Sequence, residues 1–93
     1  MKDREMNVYS NPCHSYLDLK IKDDCLTLMS EVRGGEDIGD LEVHYEFSKE
    51  ETKKLFEIIS LEEFVKFGEE KRSVRFILKF LDDHGIKYTT RGF

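Results

Sequence analysis

Cys13, His14, Cys25, His44 and His84 are the side chains of this chain that could hold a soft metal or serve nucleophilic catalysis. A zinc site wants ligands paired about two to four residues apart, so that one turn presents both to the ion. No C-x-x-C pair occurs, and Cys13 and His14 are adjacent, a poor spacing for one strand face. The simpler reading is two idle or buried thiols and surface histidines. A Cys or Ser nucleophile needs a base held beside it, and no G-x-S-x-G, Walker-type or G-x-G-x-x-G motif supplies that setting. Carboxylate pairs are plentiful at Glu50-Glu51, Glu62-Glu63, Glu69-Glu70 and Asp82-Asp83. They fall on helix surfaces or caps, where solvation accounts for them. The residues therefore predict no catalytic group, no metal site and no cofactor.

Charge is more informative. Residues 31–51 carry Glu31, Glu36, Asp37, Asp40, Glu42, Glu46, Glu50 and Glu51 against only Arg33 and Lys49, while the whole chain sums to −5. This one block accounts for the entire negative balance. A one-signed patch attracts a cationic partner and repels nucleic acid and anionic lipid. Lys71, Arg72, Arg75 and Lys79 form a basic run, but Glu69-Glu70 and Asp82-Asp83 flank it. Phosphate-backbone binding wants a larger basic excess, so no direct nucleic-acid contact is expected. The stretch Glu36-Asp37-Ile38-Gly39-Asp40-Leu41-Glu42 is rich in oxygen ligands yet misses the spacing of a helix–loop–helix calcium loop.

The elements that must carry these charges can be read from periodicity. Leu17, Leu19 and Ile21 alternate with Asp18, Lys20 and Lys22, which marks a half-buried strand. Asp23-Asp24 suits a two-residue hairpin turn. Cys25 to Val32 is a second strand with Leu26, Leu28 and Val32 on its inner face. A Gly-bracketed acidic loop follows, and Leu41 to Phe47 alternates as a third strand. A symmetric hairpin of these two puts Glu31 opposite Glu42 and Met29 opposite His44. Ser48-Lys49-Glu50-Glu51 and Ser60-Leu61-Glu62-Glu63 both read as capping boxes opening helices. Gly68 is expected to end or kink the second helix, and a third runs from about Lys71 to His84-Gly85, a left-handed cap. Ile86 to Thr90 has the composition of a short last strand. The expected fold is α+β: an antiparallel sheet, made of a three-stranded meander plus a short C-terminal strand, with two to three helices on one face. Residues 1–93 are expected to form one domain, with 1–12 an arm or an edge segment. Seven Phe and four Tyr supply bulky core material to a chain that is 38 % charged, which excludes wholesale disorder. No apolar run is long enough to span a membrane and no signal-peptide core is present, so a cytoplasmic location is expected.

The segments Phe47-Ser48-Lys49-Glu50-Glu51-Thr52-Lys53-Lys54-Leu55-Phe56-Glu57-Ile58-Ile59-Ser60-Leu61-Glu62-Glu63-Phe64 and Phe80-Leu81-Asp82-Asp83-His84-Gly85-Ile86-Lys87-Tyr88 resemble small bacterial immunity proteins. These are antidotes encoded beside polymorphic toxins, including those of contact-dependent growth inhibition systems. The resemblance covers roughly the second half of the chain, as capped helices followed by a helix–Gly–strand ending. It implies a non-catalytic inhibitor whose partner is a cognate toxin domain, in many such systems a nuclease with a basic cleft. The partner-binding residues expected from the charge pattern are Glu31, Glu36, Asp37, Asp40, Glu42, His44 and Glu46. The alternatives left open are an acidic regulatory or adaptor domain that homodimerises weakly through a sheet edge, and a small metal-dependent enzyme.

Overall fold

The alternation read above folds into strands that pair in sequence order. A computed structural model describes residues 2–11, 15–33 and 40–92. The strands are β1 (Arg4–Asn11), β2 (Ser15–Lys22), β3 (Cys25–Arg33), β4 (Asp40–Glu46) and β5 (Thr89–Gly92), and the helices are α1 (Lys49–Ile58), α2 (Leu61–Lys71) and α3 (Val74–Asp83). All neighbours are antiparallel, in the spatial order β1-β2-β3-β4-β5. This is the expected α+β arrangement with one strand more.

That strand is β1, so the N-terminal segment is an edge strand. Its register shifts between Asn7 and Tyr9, a bulge that buries Val8 and Tyr9 in succession. A bulge inserts a residue and breaks the two-residue period, which is why this segment shows no clean alternation. Asn7 fills the gap: its Nδ2 donates to Tyr9 O and Leu17 O, and to Asp18 Oδ1 at 2.8 Å. Asp23 and Asp24 both take positive φ, 52° and 63°, as a two-residue hairpin of matching twist requires. That turn locks Lys22 opposite Cys25 and so fixes the whole β2–β3 register.

One face of the sheet is the core. Leu17, Leu19, Ile21, Leu26 and Leu28 are almost wholly buried, together with Leu55, Phe64, Ile77 and Leu81 from the three helices. Burial of each such side chain contributes about 1.5–3 kcal/mol. Ser30 takes an inward position next after Leu28 on β3, and its hydroxyl hydrogen-bonds Tyr45. Thr52 on α1 is also buried, and its Oγ1 accepts from Leu26 N–H at 3.0 Å, tying helix to sheet.

The caps follow the serines. Ser48 Oγ accepts from Glu51 N–H at 3.2 Å and Ser60 Oγ from Glu63 N–H at 3.1 Å. Gly85 has φ of 68° and ends α3, with Ile86 N–H returning to Leu81 O. Three boundaries differ from expectation, the first being the start of α3, which lies at Val74 rather than near Lys71 because α2 runs on through Lys71. Gly68 does not end α2, which continues to Lys71 and turns at Arg72 with φ of 49°. Gly68 is there because α2 crosses β1 closely: a Cβ would lie 2.5 Å from Val8 Cγ1. The last strand forms three residues later than expected, because Ile86 is drawn into the core and Tyr88 packs on Tyr45 and Phe47.

Candidate functional site on the open face of the sheet

With the helices on one face, every second residue of β2, β3 and β4 projects from the other. Register then builds rows across the strands. Tyr16, Glu31 and Glu42 form one; Asn7, Asp18, Met29, His44 and Arg91 form the next; Glu5, Lys20, Thr27, Glu46 and Thr89 form the third. Glu31 stands directly opposite Glu42 and Met29 opposite His44, as the symmetric hairpin predicts. Opposed Cβ atoms on a ladder lie about 5 Å apart, where like charges destabilise.

Donors on either side take up part of that charge. His44 Nε2 lies 2.9 Å from Glu42 Oε1; with the proton on Nε2 the ring donates to the carboxylate. The two residues are i and i+2 on one strand and so share its face. On the β2 side the Tyr16 hydroxyl hydrogen-bonds Glu31. That bond, with some burial and the charges of Glu31, Glu42 and Asp18, pushes the phenol up to about 12. A neutral phenol donates to a carboxylate, and its ionisation would add a third negative charge to the row. Glu46 Oε1 forms an ion pair with Arg91 Nε of β5 at 3.3 Å. The Glu42 and Glu46 side chains remain 44 % and 39 % exposed, enough to meet a partner directly.

Of the residues expected in the site, Glu31, Glu42, His44 and Glu46 come together on this face. Asp40 pairs with Arg33 through the ladder backbone, and its side chain lies outside the described residues, as do Glu36 and Asp37. Tyr16, Asp18 and Arg91 join the face without having been picked out. Tyr16 was within reach of the sequence: a two-residue turn at Asp23-Asp24 counts Tyr16 back to Glu31. Arg91 was not, because nothing local states that β5 pairs with β4.

The other reactive candidates have structural surroundings. Cys25 is a half-buried free thiol beside the hairpin turn. His84 caps α3, with Nδ1 2.9 Å from Phe80 O and its ring 4.3 Å from that of Phe80. Cys13 and His14 lie outside the described residues. Among the described residues no three His, Cys, Asp or Glu side chains converge as a ligand set, and no helix is long and apolar enough to cross a membrane. What the open face can do is electrostatic: it carries five carboxylates, Glu5, Asp18, Glu31, Glu42 and Glu46, against the cations Lys20 and Arg91, and Glu31, Glu42 and Glu46 lie on the adjoining strands β3 and β4 with Tyr16 and Met29 among them.

Comparison of the chain with protein-family models, with curated proteins and with solved structures gave no match.

Proposed function

We propose that this chain is a non-catalytic inhibitor of the immunity-protein kind, acting in the cytoplasm as a stoichiometric antidote to a toxin domain encoded beside it. The toxin presents a basic groove, as a nuclease does for its substrate, and the open sheet face covers it. The observation that supports this reading is the opposition of Glu31 and Glu42 with Glu46 two rows further along the same face of β4, on a face that no helix among the described residues covers. Carboxylates crowded in this way gain from a cationic surface that neutralises them, and complementary fields speed encounter and fix register. Tyr16 and Met29 supply the less polar contact that a tight interface needs near its centre.

The test is association with the C-terminal domain of the adjacent toxin, followed across a salt series by stopped flow, together with survival of cells expressing that toxin. Reversing Glu31, Glu42 and Glu46 together to lysine should slow association at least tenfold at low salt, flatten its salt dependence and abolish protection. A folded triple variant that associates at the same rate with the same salt slope rules out this face. Absence of any binding to the adjacent toxin rules out the antidote reading itself.

A further inference from the structure

The helical layer carries a second exposed surface, where cations gather around an aromatic ring next to the exposed carboxylates of Glu69 and Glu70. Phe76 on α3 is 50 % exposed, one of two large apolar side chains that stand out in this way among the described residues. It sits next to Ile77, which is buried in the core, so the helix turn that seats Ile77 leaves Phe76 outside. The Lys71 ammonium lies 5.6 Å from the Phe76 ring centroid and 6.0 Å from that of Phe67, bridging α2 and α3 by cation–π contact. The corner between the helices is fastened to the sheet: Arg72 Nη1 donates to Asn11 Oδ1 at 2.8 Å and to Ser10 O at 3.2 Å. Arg72 is thereby occupied, and Lys79 pairs with Asp83 at 3.3 Å. Lys71 and Arg75 are left facing solvent beside an exposed ring. A rigid aromatic flanked by cations has the make-up of an interface anchor.

The surface that complements it belongs to the same chain. The open sheet face supplies Glu31, Glu42 and Glu46 for Lys71 and Arg75, and Met29 and Tyr16 for the Phe76 ring. The geometry points to head-to-tail self-association: the Phe76 ridge of one copy docks on the acidic sheet face of a second. The two patches are different surfaces of one molecule, so the contact is heterologous and each copy keeps one patch free. This inference stands apart from the toxin reading. The two intersect in one consequence, that a basic partner and a second copy compete for the same face.

The experiment is sedimentation of the full chain from about 10 µM to about 1 mM, in about 20 mM and about 500 mM salt. At low salt the mean mass should rise with concentration, and high salt should suppress the rise. Phe76→Ser and, separately, Arg75→Glu should each weaken association about tenfold or more, as should a triple Glu31→Gln, Glu42→Gln, Glu46→Gln variant. Phe76 and Arg75 lie outside the core, so circular dichroism should be unchanged, and Arg75→Glu serves if Phe76→Ser does not fold. A mixture of Phe76→Ser with the triple variant is the decisive case. Each retains one intact patch, so the mixture should form a one-to-one dimer and stop there. A wild-type chain that stays monomeric throughout overturns the inference and leaves the ridge to an acidic protein other than this one. So does an inert mixture, or ridge variants that associate as the wild type does.

Discussion

Glu31 and Glu42 are the pair on which the reading of the site turns, and a double-mutant cycle measures them without knowledge of any partner. Their Cβ atoms oppose across the β3–β4 ladder, about 5 Å apart, and that spacing sets the scale of the repulsion between their carboxylates. Two unit charges at that distance repel by about 0.8 kcal/mol in bulk water. Screening with a Debye length near 30 Å at 0.01 M leaves about 0.7 kcal/mol, and near 3 Å at 1 M it leaves about 0.15 kcal/mol. Glu31→Gln also weakens the acceptor of the Tyr16 hydroxyl, and Glu42→Gln that of His44. Neutral acceptors bond less strongly than charged ones. Those losses occur equally in the single and the double variants, so the cycle removes them and isolates the repulsion. Urea unfolding of the four proteins at both ionic strengths is the assay. The double variant should be less stable than the summed single effects predict by about 0.7 kcal/mol at low salt, and the coupling should almost vanish at high salt. A coupling near zero at low salt, or one indifferent to salt, would refute the claim that this face holds unrelieved repulsion for a partner to discharge.

Three further outcomes follow from other contacts. Thr52→Val keeps the shape of the side chain but strips the acceptor from the buried Leu26 N–H, and should cost about 1–3 kcal/mol in the same unfolding assay. Gly68→Ala gains up to about 1 kcal/mol of helix propensity. It drives a methyl to 2.5 Å from Val8 Cγ1, so overpacking should leave it about 1–2 kcal/mol less stable, and adding Val8→Ala should restore part of the loss. Tyr16 should ionise near 12 rather than 10.0 in an ultraviolet titration and move back toward 10.0 in Glu31→Gln. Because the folded-state value is raised, the stabilisation from this phenol is fully present below pH 10 and is lost as pH climbs through 12. Wild type should therefore lose stability across that interval more steeply than Glu31→Gln.

Local chemistry wrote most of the scaffold into the sequence. The alternation of Leu17, Leu19 and Ile21 with charged residues marks β2, and the two-residue Asp23-Asp24 turn sets its register with β3 without reference to the rest of the chain. Ser48 and Ser60 announce α1 and α2 because an N-cap hydroxyl acts within one helical turn, and Gly85 marks a left-handed stop for the same local reason. The opposition of Glu31 and Glu42 was legible because both residues sit on strands joined by one loop. The tertiary structure decided what depends on contacts far apart in the chain. β1 is a strand only because it pairs with β2, and its bulge hides the alternation that would have announced it. Gly68 looked like a stop, yet it lies inside a helix because Val8, sixty residues earlier, needs the space that a Cβ would fill. β5 brings Arg91 beside Glu46, and no local pattern says which edge a short C-terminal strand will join. The sequence by itself determined which residues share a face, since the period of a strand or helix is a property of neighbouring residues. Which faces meet, and so how much of the acidic block is compensated and how much is left for a partner, was decided by packing across the whole chain.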